Sequence, residues 1–204
     1  MQAAPDTGRL SRRSLLAGAV ALCLPAAECM LSPAAATAES SSFQLQDGWR
    51  FCADCFVLYL GGIYADSHCP RNGYSGHRAA GWTFKLMYNE NTPPGGGEGP
   101  NVQGNWRHCY RCATLYWALS TSQRCPSWGA HAWGDAFTRQ QYLLSHDLGQ
   151  PSGSQNQWRY CVKCSALFFN GYAYKGEYGL CPYDDIYGHT AAGYDFVLAV
   201  SAYT

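Results

Sequence analysis

Charge is what this 204-residue chain has least of: Asp, Glu, Lys and Arg make up 14% of it, and the two signs balance at 14 each. An average soluble domain carries about 25%. No run of Lys or Arg is long enough to track a phosphate backbone, so nucleic acid is not the expected partner. No basic amphipathic helix is present to lie on a membrane surface. Long hydrophobic runs are also missing. The one apolar stretch near the N-terminus is short and broken by Glu28, and no other is long enough to span a bilayer. Clean helical periodicity is absent; Gln140 to Leu144 offers a short helical turn at most. The chain has no G-x-S-x-G, H-E-x-x-H, P-loop or G-x-G-x-x-G, and no catalytic residue is assigned. The adjacent Asp184 and Asp185 read as a solvated loop rather than an acid/base pair.

The N-terminal segment stands apart. Ser11-Arg12-Arg13-Ser14-Leu15-Leu16 precedes an alanine-rich apolar run ending near Ala27, and Ala36-Thr37-Ala38 forms a small-x-small site. This resembles a twin-arginine export signal, with an ordinary secretory signal as the alternative. Cleavage is expected before Glu39, leaving residues 39–204 as the mature chain in an extracellular or periplasmic location. Neither Cys23 nor Cys29 follows a convincing lipobox.

Aromatic residues and cysteines are plentiful beyond that point. All 7 Trp, 15 Tyr and 8 Phe lie after position 38, with nine of the 11 Cys. Trp49-Arg50-Phe51-Cys52-Ala53-Asp54-Cys55 recurs as Trp106-Arg107-His108-Cys109-Tyr110-Arg111-Cys112 and as Trp158-Arg159-Tyr160-Cys161-Val162-Lys163-Cys164. Each copy continues with a leucine (Leu58, Leu115, Leu167) and an aromatic (Tyr59, Tyr116, Phe168). A Cys-Pro pair follows at Cys69, Cys125 and Cys181, then a histidine at His77, His131 and His189. The repeats span about 46–90, 103–147 and 155–204, with linkers at 91–102 and 148–154 that are rich in Pro, Gly, Ser and Gln. Copies one and three continue with Ala-Ala-Gly; copy two instead has Trp133, Ala136 and Phe137. Within a unit the aromatic and alternating segments, separated by turn residues, predict β-strands.

An odd number of cysteines cannot all pair within one chain. Each repeat supplies three Cys and one His, spaced C-x2-C-x13-C-x7-H, C-x2-C-x12-C-x5-H and C-x2-C-x16-C-x7-H. That is the ligand set of a closed tetrahedral zinc site. Three such sites use Cys52, Cys55, Cys69 and His77; Cys109, Cys112, Cys125 and His131; and Cys161, Cys164, Cys181 and His189. His68, His108 and His146 have no counterparts across the repeats and read as ordinary polar residues. Disulfides suit an exported protein but leave the odd count and the repeated histidine unexplained. A redox Cys-x-x-Cys needs a βαβ context that is not visible. Iron is the main competing metal, although the spacing is not of cluster type.

The Cys-x-x-Cys turns resemble the knuckles of zinc-ribbon proteins, while the Cys-Pro…His half departs from the ribbon's second Cys-x-x-Cys. Units of this size bury little apolar surface alone. The zinc ions are therefore expected to be structural. The fold expected is all-β, with three zinc-stapled, four-stranded units closed around a pseudo-threefold axis. In repeat number and character this resembles a β-trefoil; three separate zinc-ribbon-like beads are the alternative. Trp49, Trp106 and Trp158 are expected to start buried strands, with Trp82 and Tyr194 at core positions. The surplus of Tyr and Trp favours a non-enzymatic module that binds carbohydrate or cell-wall glycan, multivalently through its repeats. An enzyme using non-repeated residues of copy two, or a metal-handling protein, are the alternatives.

Overall fold

The computed structural model describes residues 43–62, 67–90, 96–133, 140–184 and 187–202. The expected signal segment at 1–38, most of the Pro-rich part of the first linker, Ala136, Phe137 and Asp185 lie outside these residues. Each repeat forms a long strand, a short strand and a second long strand. These are β1 (Gln44–Cys52), β2 (Leu58–Leu60) and β3 (Ala79–Asn89); β4 (Val102–His108), β5 (Leu115–Trp117) and β6 (Gln141–His146); and β7 (Ser154–Cys161), β8 (Leu167–Phe169) and β9 (Ala191–Ala202). One short 3-10 turn, Ala173–Lys175, is the only helical element among the described residues. None of their helices is long and apolar enough to cross a membrane.

All nine strands join one antiparallel, nearly closed sheet, so the units are not separate beads. Within each repeat the first strand pairs with both others: β1 with β2 and β3, β4 with β5 and β6, and β7 with β8 and β9. Between repeats the three closing strands pair in a cycle. Met87 faces Leu143, Ser145 faces Val197, and Val200 returns to Phe84. The short strands form a second cycle, through bridges Tyr59–Thr114, Tyr116–Ala166 and Phe168–Val57. This is the expected pseudo-threefold arrangement.

Two details differ from the sequence reading. Among the described residues each unit has three strands, not four, because the Cys-Pro segment makes only isolated bridges, Cys69–Gly73 and Cys181–Asp184. Proline has no N–H to give a ladder. The segment containing Gln140 to Leu144 contributes to strand β6 rather than a helical turn. Flanked by β3, β4 and β9, it is buried on both faces and loses the alternation that marks a half-exposed strand.

The core repeats with the chain. Trp49, Trp106 and Trp158 are fully buried alongside Leu58, Leu115 and Leu167, and alongside Phe84, Tyr142 and Phe196. Each tryptophan meets the aromatic ring of the following repeat edge-on. The centroid distances are 5.0 Å for Trp49–Tyr142, 5.1 Å for Trp106–Phe196 and 5.3 Å for Trp158–Phe84. A bulge precedes every one of these tryptophans, where the register shifts after Gln46, Gln103 and Gln155. The residue just before each, Gly48, Asn105 or Gln157, takes a positive φ of 88°, 63° or 66°. The tryptophans therefore sit within their strands, turned inward by the bulge, and do not begin them.

Candidate metal centres

The twelve Cys and His residues singled out from the sequence converge into three clusters. Within each, the four ligand atoms lie within 4.8 Å of one another. The local backbone explains how. In each Cys-x-x-Cys turn the residue after the second cysteine, Phe56, Ala113 or Ser165, adopts a left-handed φ. Its N–H donates to the carbonyl of the first cysteine, at 2.9, 2.8 and 2.8 Å. The first cysteine's own N–H donates onward to Val57, Thr114 or Ala166. These bonds hold the turn so that both sulfurs face one point. The other half is tied on by Ala53, Tyr110 and Val162, whose N–H groups donate to the residue following each histidine, Arg78, Ala132 and Thr190.

The distances suit one ion per cluster. Cys52 and Cys69 sulfurs are 4.0 Å apart, and Cys109 and Cys125 sulfurs 3.9 Å. The histidine Nδ1 atoms lie 3.4, 3.5 and 3.5 Å from Cys55, Cys112 and Cys164. Metal–sulfur bonds of about 2.3 Å in a tetrahedron place sulfurs about 3.8 Å apart. The nine cysteines among the described residues form no disulfide. A multi-iron cluster would hold its cysteines much farther apart, so the space suits a mononuclear centre. An amide also points at a ligand: Ala132 N–H donates to Cys109 Sγ at 3.4 Å.

The electrostatics fit ligands poised for a cation. Hydrogen bonds from neighbouring thiols, first Cys55 and then Cys69, hold Cys52 far below the usual thiol range; Cys109 and Cys161 are held likewise by their own partners. Burial drives Cys55, Cys112 and Cys164 well above it, and thiolate neighbours add to this. For His77 and His189, burial favours the neutral ring but is outweighed by the adjacent cysteines, which bring both to about 9. The first and third sites thus pair a thiolate with a protonated histidine beside a protonated thiol, and a metal that binds all four ligands displaces those protons.

Two supporting shells were not legible as such in the sequence. The aromatic after each repeated leucine stacks on its own repeat's histidine. Tyr59 lies 4.6 Å from His77, Tyr116 4.7 Å from His131, and Phe168 4.7 Å from His189. The other histidine nitrogen then reaches into the next repeat. With Nδ1 facing sulfur, Nε2–H donates from His77 to the Cys112 carbonyl (2.9 Å), from His131 to Cys164 (3.1 Å) and from His189 to Cys55 (2.9 Å). Every cluster is thus oriented by the knuckle of its neighbour.

The remaining sequence candidates fall elsewhere. His68, His108 and His146 are buried, and, as expected of residues without counterparts, none joins a cluster. His146 Nδ1 bonds Asp147 at 2.9 Å. Tyr194, expected in the core, is 43% exposed and stacks on His146; Trp82 is half-buried against the core. Asp184 pairs with Lys163 at 2.9 Å. Fold and site together define a threefold all-β protein with three Cys3His clusters able to hold metal. Comparisons with protein-family models, curated proteins and solved structures find no match.

Proposed function

We propose that this protein is an exported, non-enzymatic binding module whose fold is held by three structural zinc ions. The observation that carries the metal reading is closure. Four side chains converge on each site, with three cysteines fully or almost fully buried, so no coordination position is left open for a substrate or water. Zinc suits three thiolates and an imidazole in a tetrahedron, and a structural zinc contributes about 10 kcal/mol of apparent folding free energy per site. Elemental analysis of the purified mature chain is expected to find close to three zinc per molecule. Stoichiometric iron instead would overturn the choice of metal. Chelation is expected to unfold the protein; a chain that loses its metal and keeps its circular dichroism would favour metal handling.

Carbohydrate is the ligand class we favour. Tyr74, Trp128, Trp133, Tyr174, Tyr183 and Tyr187 leave more than half of their surface exposed. Flat amphipathic rings of this kind stack on sugar faces and hydrogen-bond from their edges. Binding to a glycan array checks this, and no retention on any glycan would sink it. Export rests on the twin-arginine pattern at Arg12 and Arg13. Replacing both by lysine is expected to leave the precursor in the cytoplasm, and unchanged export would refute that route.

A further inference from the structure

The cyclic contacts create seams between repeats, and two of these seams hold equivalent cavities with different chemistry. At the seam from repeat three to repeat one, Gln155, Phe169 and Trp82 line a cavity of about 250 Å³ together with Phe51, Phe84 and Tyr172. At the seam from repeat two to repeat three, the matching positions are Gln103, Trp117 and Tyr194, and the cavity is larger, about 410 Å³. Here the lining adds the polar side chains Glu98, Asn105 and His146, beside Gly99, Val102 and Leu119. The same fold position has an aromatic lining in one case and carries hydrogen-bonding groups in the other.

The second cavity is built rather than incidental. Tyr194 is fixed with one face on His146, 3.7 Å between centroids and 14° from parallel, which leaves the opposite face for a ligand. Trp117 is held edge-on by Tyr160 at 5.6 Å, and its buried Nε1–H has no partner among the described residues. Glu98 is positioned by two donors on one oxygen, Gly104 N–H and Asn105 Nδ2, each at 3.1 Å. A Cβ at Gly104 would come within 3.2 Å of that carboxylate oxygen, so the glycine lets Glu98 approach without shifting. Asp147 occupies His146 Nδ1, so Nε2 is the nitrogen left for a ligand.

We propose that this cavity, between repeats two and three, is the subsite that receives one neutral pyranose ring. The reading rests on carbohydrate as the ligand class. Two aromatic walls supply stacking surface. A carboxylate, two side-chain amides and an imidazole supply acceptors and donors for several hydroxyls, the mixture of apolar body and few fixed polar groups that small-ligand sites use. Glu98, the one carboxylate in the lining, disfavours acidic sugars.

Calorimetric titration of the metal-loaded mature protein tests this, with cellohexaose, maltohexaose, chitohexaose and a lysozyme digest of peptidoglycan as probes, and polygalacturonate as the acidic comparison. At least one neutral probe is expected to bind while polygalacturonate does not. Tyr194→Ala is expected to weaken that binding tenfold or more, and Glu98→Gln fivefold or more, with melting temperatures near that of the native protein. Leu45→Ala and Val162→Ala, at exposed side chains outside the cavity, should change it less than twofold. If a probe binds and the Tyr194 and Glu98 variants match the native protein, the glycan reading stands and this location is wrong. If no probe binds the native protein, the carbohydrate reading fails and the subsite with it.

Discussion

Gly179 shows how tightly single residues govern the seams. A Cβ built on it would lie 2.4 Å from the Cys55 carbonyl oxygen, and its φ is +67°. That oxygen already accepts the His189 Nε2–H. Gly179→Ala is therefore expected to destabilise the fold by about 2–4 kcal/mol, through both strain and displacement of the seam. Urea denaturation checks it, and a change under about 0.5 kcal/mol would show the backbone gives way there. The tryptophans supply a contrast. Trp106→Ala, in the repeated core, should cost about 3–5 kcal/mol. Trp128→Ala, 79% exposed, should stay within about 0.5 kcal/mol. Of these residues the sequence marked Trp106, because it recurs in every copy. Gly179 has no counterpart and acts on a carbonyl 124 positions away, so no local pattern announces it.

At the scale of the strand, the bulge before each core tryptophan carries a positive φ in all three repeats, yet only the first uses glycine, Gly48. Asn105 tolerates the conformation and spends its side chain on Glu98. Gln157 has neither excuse. Its N–H donates to Asp195 and its carbonyl accepts from Asn170, bonds that a glycine keeps. Gln157→Gly should raise stability by about 1 kcal/mol, read as a higher urea midpoint with an unchanged slope. A lower midpoint would mean that the Gln157 side chain contributes more than the strain costs. Strand β6 shows where element-level reading fails. Its Gln-Tyr-Leu-Leu run lies between neighbours on both sides, so partners rather than its own pattern decide its conformation.

At the scale of the molecule, each metal cluster is completed within its own repeat but oriented by the next. The ligands were legible because coordination chemistry tolerates few substitutes, so the same Cys and His must recur. The coupling was not, because it runs from a side chain to a backbone carbonyl, which every residue possesses. It has a thermal signature. His131→Ala should lower the melting point of the whole chain in one transition, since the 2–3 seam loses its Nε2 bond to Cys164 while a ligand is lost. Separate melting of the second repeat in calorimetry would instead mean the units fold independently.

The cycle of contacts also means that no repeat is an end repeat. A linear stack needs terminal units with a specialised outer face, whereas here β9 returns to β3, and Ser201 Oγ donates to Asp47 at 2.6 Å. The order in which the chain visits the three units should matter little. Joining the ends of residues 43–202 by a short flexible linker and opening the ring between Leu148 and Gly153 gives a circular permutant that begins with repeat three. That permutant is expected to fold, to take up the same number of metal ions and to melt within a few degrees of the parent. Failure to fold would show that the native ends, and not the closed ring alone, are needed to start or hold the assembly.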